Sequence, residues 1–168
     1  MTSMSVTIRS ATADDAGEIW AILEPVIRGG EHYALPRDMT REAALAYWSS
    51  PGHDVLVALE GGGGGRVLGT YYVRANQQGG GAHVANAAYA TALDDRGRGV
   101  ARAMCAHSLE HARGRGFRAM QFNFVVAANE RAVRLWEAMG FDVIGRVPAA
   151  FAHPRLGDVD ALIMYRAL

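Results

Sequence analysis

A chain of 168 residues, half of them apolar or aromatic, has the size and core material of one domain spanning residues 1–168. Lysine plus arginine and aspartate plus glutamate number 17 each, so no overall field recommends nucleic acid or an anionic membrane as partner, and any anion site must be local. The single cysteine, Cys105, excludes an intramolecular disulfide, no apolar run approaches the ~20 residues of a membrane span, and the first ten residues lack the segments of a secretory signal. A cytoplasmic location is the expectation.

Val6 and Ile8 alternate with polar neighbours as in a strand. Thr12 with Asp14 and Asp15 opens a helix carrying Ile19, Ile22, Leu23 and Val26 at helical spacing. The loop RGGEHYALPRD follows, and Thr40 caps a second helix through Ala44, Leu45 and Trp48. Strands DVLVALE and RVLGTYYVRA are joined by five glycines at 61–65, a run that suits a flexible hairpin better than a phosphate cradle. AHVANAAYATAL reads as a fourth strand, a helix runs from Val100 to about Arg113, and FRAMQFNFVVA is a fifth strand. Asn129 caps the helix ERAVRLWEAMG, Gly140 ends it, and the strands FDVIGRV and DALIMYRAL close the chain. The order β-α-α-β-β-β-α-β-α-β-β predicts an α/β fold, one mixed seven-stranded sheet flanked by about four helices.

The octapeptide DDRGRGVA, residues 94–101, sits between the fourth strand and its helix. Helix N-termini carry unpaired N–H donors and partial positive charge, and Gly97 and Gly99 leave them unobstructed. The guanidinium groups of Arg96 and Arg98 suit phosphate oxygens. The pattern is not a Rossmann fingerprint, because Arg102 stands where the third glycine belongs, nor a P-loop, because no lysine and serine or threonine follow.

Arg96, Gly99 and Ala101 fit R-x-x-G-x-A, which resembles the acetyl-CoA motif of the GCN5-related N-acetyltransferases (GNAT family). Asn129, Ala132, Leu135, Gly140 and Phe141 resemble the family's N-x-x-A-x-x-L-Y-x-x-x-G-F segment, about thirty residues further on. The resemblance is clearest from His83 to Leu168. It implies a GNAT-like fold, acetyl-CoA as co-substrate without a metal, and direct attack of an amine in a ternary complex. By that resemblance the backbone from Gly97 through Val100 to Ala101, with the arginines, holds the pyrophosphate. The strand ending near Thr91 carries the pantetheine, Asn129 contacts pantetheine or amine, and a backbone donor at Tyr89 or Ala90 stabilises the oxyanion.

At Trp136 the family often has a tyrosine that protonates the leaving thiolate, a task an indole N–H cannot perform. The fourth strand also lacks the family's glutamate; its polar residues are His83, Asn86, Tyr89 and Thr91. Asn86, on the face of Ala88 and Ala90, and Asn123 are amides that orient an amine without acting as bases. The segments around Asn86, Asn123, Asn129 and Trp136 are similar to the branch containing fungal N-acetyltransferases of proline analogues such as azetidine-2-carboxylate. That likeness implies a small amino or imino acid held by Asn86 and Asn123. His32, His83 and His153 are candidate bases by chemistry, and Glu31, His32 and Tyr33 are candidate pocket residues.

A protein or peptide N-acetyltransferase and a non-catalytic acyl-CoA sensor are the competing readings. His107 and His111 have H-x-x-x-H spacing near Cys105, but a surface helix accounts for them better than a metal site. Relatives are often dimers, so a homodimer through the C-terminal strands is possible; neither nucleic acid nor membrane is expected as partner.

Overall fold

The computed structural model describes residues 4–168; residues 1–3, the start of the stretch inspected for a targeting signal, lie outside the described residues. The elements are β1 (Val6–Ser10), α1 (Ala16–Gly29), α2 (Arg41–Trp48), β2 (Asp54–Glu60), β3 (Val67–Ala75), β4 (Val84–Thr91), α3 (Val100–Gly114), β5 (Ala119–Val126), α4 (Glu130–Ala138), β6 (Asp142–His153) and β7 (Gly157–Ala167). The strands form one sheet in the order β1-β2-β3-β4-β5-β7-β6. Every neighbouring pair is antiparallel except β4 and β5, which run parallel.

Alternation along the strands divides the core between two faces. On β2, Leu56 and Ala58 join Met104, Cys105 and Leu109 of α3, while Val57 and Leu59 join Ile19, Leu23 and Trp48 of α1 and α2. Side chains as fully enclosed as Met104 and Leu68 contribute roughly 1.5–3 kcal/mol each by burial. The one polar atom of Trp48 is satisfied inside the core: its Nε1–H donates to Thr70 Oγ1 at 3.1 Å, and Thr70 donates to the Leu56 carbonyl at 2.8 Å. This fixes an aromatic floor in which Trp48 lies 4.9 Å from the Tyr72 ring and 6.3 Å from that of Tyr33.

Two features set up the site. The parallel pairing of β4 with β5 is confined to Val84↔Ala119 and Ala85↔Met120, after which the strands part. On the other edge of β5 the pairing with β7 shifts between Phe122 and Val125, a bulge that leaves Asn123 and Phe124 exposed between buried Phe122 and Val125. The C-terminal strands run further than their sequence suggests. Residues 148–153, expected in a loop, continue β6 with a left-handed residue at Ala149 (φ 48°), so His153 ends a strand.

Candidate active site

The V between β4 and β5 opens into a cleft of about 600 Å³, a size suited to a small-molecule site. The direction of the β4 backbone follows from its pairing. Ala92 N–H donates to the Leu68 carbonyl and Asn76 N–H to that of Val84, and antiparallel ladders alternate. The even-numbered residues of β4 therefore turn their N–H groups to β3, and Ala87, Tyr89 and Thr91 turn theirs into the V. Of the two backbone donors considered from sequence, Ala90 belongs to the ladder and Tyr89 faces the cleft. The Tyr89 carbonyl, on the same edge, accepts from the Tyr33 hydroxyl. The Tyr89 side chain is on the opposite face, its hydroxyl 2.6 Å from Ser108 Oγ and its ring 5.0 Å from that of Trp136.

At the α3 end, Gly97 (φ 81°) and Gly99 (φ 86°) adopt left-handed conformations that L-residues rarely take. Ala103 N–H, bonded to the Gly99 carbonyl at 3.0 Å, is the first of α3 to bond back, so the first-turn amides of Val100, Ala101 and Arg102 lie ahead of the helical ladder. Arg96, Arg102 and Arg131 line this end without a carboxylate partner among the described residues. Bare amides and guanidinium groups without a carboxylate partner among the described residues are together suited in chemistry to an anion such as a pyrophosphate.

Arg98 does not join them. Its guanidinium is bonded to Asp95 and lies 3.3 Å from Glu60 Oε1, and it does not line the cleft. Buried Asp95 is gripped from the other side by Arg66 at 2.6 and 3.0 Å. The Arg66 hydrogen bonds hold its carboxyl below the ordinary range, against the opposing effect of burial, with Arg98 adding to them. Arg98 thus braces the turn that presents Gly97 and Gly99.

Asn129 caps α4 by accepting from Ala132 N–H at 3.3 Å, which leaves its Nδ2 to donate to His32 Nδ1 at 3.1 Å. Burial, reinforced by Arg96, lowers the His32 pKa. His32 is therefore neutral at pH 7 with its proton on Nε2, a donor rather than the base considered from sequence. Neither of the other two is placed as a base in the cleft. His83 is exposed at the start of β4, and His153 Nδ1 accepts from Arg155 and Leu156 N–H, both at 3.2 Å, to tie the β6–β7 turn. Tyr33 lines the cleft as expected, whereas Glu31 pairs with Arg155 at 2.6 Å and does not.

Asn86, almost fully buried, donates its Nδ2 to the Gln121 carbonyl at 2.9 Å. No side-chain N or O atom among the described residues is both buried and without a partner, so Asn86 Oδ1 reaches the cleft. Asn123 also lines it, but is engaged at both ends, donating to Asn76 Oδ1 at 2.6 Å and accepting from Gln121 Nε2 at 3.1 Å. Thr91 and Trp136 complete the wall. His107 and His111 lie outside it, bonded to the Tyr71 hydroxyl and Asp54, and no group of three or more metal-ligating side chains gathers among the described residues.

Sequence reasoning missed Asp95 as the brace, Arg131, and Arg74, which lines the cleft from the end of β3. Arg131 carries no motif of its own. Its approach to Gly97, where an added Cβ would stand 2.9 Å from its guanidinium, exists only in the fold.

A parallel strand pair splayed beside an anion-binding helix N-terminus defines an acyl-CoA-type transferase cleft. Residues 18–141 match the acetyltransferase (GNAT) family, and the chain belongs to that family. It is 41% identical to a GCN5-related N-acetyltransferase from Kribbella flavida, with a TM-score of 0.91 over 97% of this chain and 98% of that one. A phosphinothricin acetyltransferase from Sinorhizobium meliloti, solved with acetyl-CoA, is 24% identical with a TM-score of 0.83, covering 98% of this chain and 89% of that one. The chain is also 32% identical over 98 residues to the N-acetyltransferase aca1 of Schizosaccharomyces pombe, covering 58% of this chain and 47% of the relative. It thus spans about half the length of that curated relative. Among the described residues no helix is long and apolar enough to cross a membrane.

Proposed function

We propose that the protein transfers the acetyl group of acetyl-CoA to the amine of a small amino or imino acid by direct attack in a ternary complex. The observation that carries this reading is the pairing of two groups on β4: Tyr89 N–H directed into the V, and Asn86 Oδ1 open to the cleft with its amide orientation fixed by Gln121. The acetyl-CoA pyrophosphate fits the Gly97–Ala101 amides with Arg96, Arg102 and Arg131, and the pantetheine follows β4 past Thr91. Asn86 Oδ1 accepts an N–H of the incoming amine and directs its lone pair at the thioester carbonyl. As the new C–N bond forms, Tyr89 N–H stabilises the oxyanion. Collapse breaks the C–S bond and expels the thiolate, a tolerable leaving group at a thiol pKa near ~8.5.

Glu31–Arg155 supports a small acceptor over a peptide, because it ties the loop after α1 to the β6–β7 turn. For assembly, edge strand β6 exposes Val143, Ile144 and Val147, an apolar strip suited to a second copy; light scattering tests it.

The test is thiol release from acetyl-CoA against free amino acids, azetidine-2-carboxylate, polyamines and peptides. Turnover confined to small amino or imino acids is the expected result. Turnover on peptides alone transfers the assignment to a peptide acetyltransferase, and acetyl-CoA binding without turnover on any amine of the panel rejects the small amino or imino acid assignment, leaving an amine outside the panel or an acyl-CoA sensor.

A further inference from the structure

We infer that Arg74 is the carboxylate-recognition residue of the acceptor site. The inference deepens the proposed function and rests on it. Arg74 is the cross-strand partner of Asn86, on the face that also carries Tyr72 opposite Ala88. It is half-buried, lines the cleft, and has neither an acidic partner nor a hydrogen-bonded carbonyl among the described residues. The other cleft-lining arginines, Arg96, Arg102 and Arg131, lie on α3, α4 or the turn before α3, where they face the pyrophosphate end.

The amides beside Arg74 supply less. Asn86 Nδ2 gives one of its two N–H groups to Gln121, and Asn123 uses its carbonyl and one N–H, so each amide has one neutral donor left and neither brings a charge. A carboxylate taken from water into a half-enclosed cleft requires a cation as well as hydrogen bonds, and a guanidinium meets both carboxylate oxygens with one planar fork. The reach is suitable. Asn86 and Tyr89 are three residues apart on β4, ~10 Å along the strand, a gap that an arginine side chain and one α-amino acid span together. With its carboxylate on Arg74, the amine of such a substrate lies beside Asn86 Oδ1 and short of the Tyr89 N–H. The hydroxyls of Tyr47 and Tyr72, 3.4 Å apart, close the wall next to Arg74.

The test compares azetidine-2-carboxylate and proline with their carboxamides, in wild type, Arg74→Gln and Arg74→Lys. Thermal unfolding and coenzyme A affinity of each variant check that it is folded. The expected result is a wild-type preference for the acids, an acid-to-amide ratio of kcat/KM that falls roughly 10- to 100-fold in Arg74→Gln, and partial recovery in Arg74→Lys. Equal loss on acid and amide makes Arg74 a merely structural residue and overturns the inference, as does an unchanged ratio. Failure of the underlying function is read separately, in wild type alone. An enzyme that acetylates other amines but no amino or imino acid rejects the substrate class, and the carboxylate site with it.

Discussion

Asn86 Nδ2 donates to the Gln121 carbonyl at 2.9 Å, one residue beyond Ala85↔Met120, the last backbone pair of β4 with β5. A side chain continues the ladder where the backbone stops, and in doing so sets the apex of the V. Asn86→Ala leaves that carbonyl without its protein donor, which costs about 1–3 kcal/mol, or roughly 3–10 °C in Tm for a chain of this length. Turnover falls as well, since the acceptor for the amine is lost. Asn86→Asp places a carboxylate against the carbonyl in a nearly buried site, so it is less stable than Asn86→Ala at pH 7. Burial and the facing oxygen raise its pKa in the folded state, and stability recovers as pH falls through that raised value toward the ordinary aspartate range, near pH 4. Calorimetry at the two pH values checks the order; an unchanged Tm in both variants removes Asn86 from the apex.

Gly97 meets two constraints together, a φ of 81° and an Arg131 guanidinium 2.9 Å from where a Cβ would stand. Gly97→Ala costs ~1–2 kcal/mol in backbone conformation and displaces Arg131 from the anion site. Gly99, with a similar φ but open space around it, carries the conformational cost alone. The KM for acetyl-CoA therefore rises more in Gly97→Ala than in Gly99→Ala. Arg131→Ala raises it by about tenfold, the worth of one charge-assisted contact. Steady-state kinetics at saturating acceptor measures all three.

The distribution of legible and illegible features follows from which interactions are local. The order of strands and helices was readable because alternation, Thr40, Asn129 and Gly140 act within a few residues of themselves. The turn with left-handed glycines ahead of α3 was readable because its glycines and helix N-terminus are contiguous. Arg98 and Arg96 stand in the same motif with Asp95, and only the long-range positions of Glu60 and Arg66 separate the brace from the cleft-lining residue. The exposure of both Asn123 and Phe124 depends on a bulge specified by β7, forty residues away in chain terms. Arg74 reads in sequence as one polar residue at a strand end, and only the fold sets it opposite Asn86 with no carboxylate partner among the described residues.

Asp95 carries a pH signature. Its pKa is depressed in the folded protein, chiefly by Arg66, so above the ordinary aspartate range its ionised form stabilises the fold. That contribution is lost as pH falls through the depressed value, because the unfolded state binds the proton first. Asp15, held at about 2 chiefly by Arg9, loses its contribution in the same direction. Asp95→Asn is less stable than wild type by about 1–2 kcal/mol at pH 7, a modest figure because both arginines reach water. The difference between the two shrinks as pH drops below 4. Urea unfolding across pH 2.5–7 checks it, and a difference that persists at the acid end assigns the loss to packing instead of charge.

Proton flow gives the last prediction. His32 presents Nε2–H, His153 ties a turn, and the Asp95 carboxylate that lines the cleft is held by Arg66 and Arg98, so among the described residues no cleft side chain is placed to take the proton from the amine. Only the neutral fraction of the acceptor attacks, and its proton leaves to cleft water. With an acceptor whose pKa lies well above neutrality, log(kcat/KM) then rises with a slope of about one per pH unit from pH 6 toward that pKa. A residue acting as base with a pKa near 6–7 would flatten the profile above that point, and such a plateau, if it disappears in His32→Gln, returns His32 to the role of base. Trp136→Tyr supplies a hydroxyl against Tyr89, where the indole now packs at 5.0 Å. If thiolate departure limits the rate, kcat increases in that variant; with amine deprotonation limiting, as the geometry implies, kcat falls or holds while the slope of the profile is unchanged.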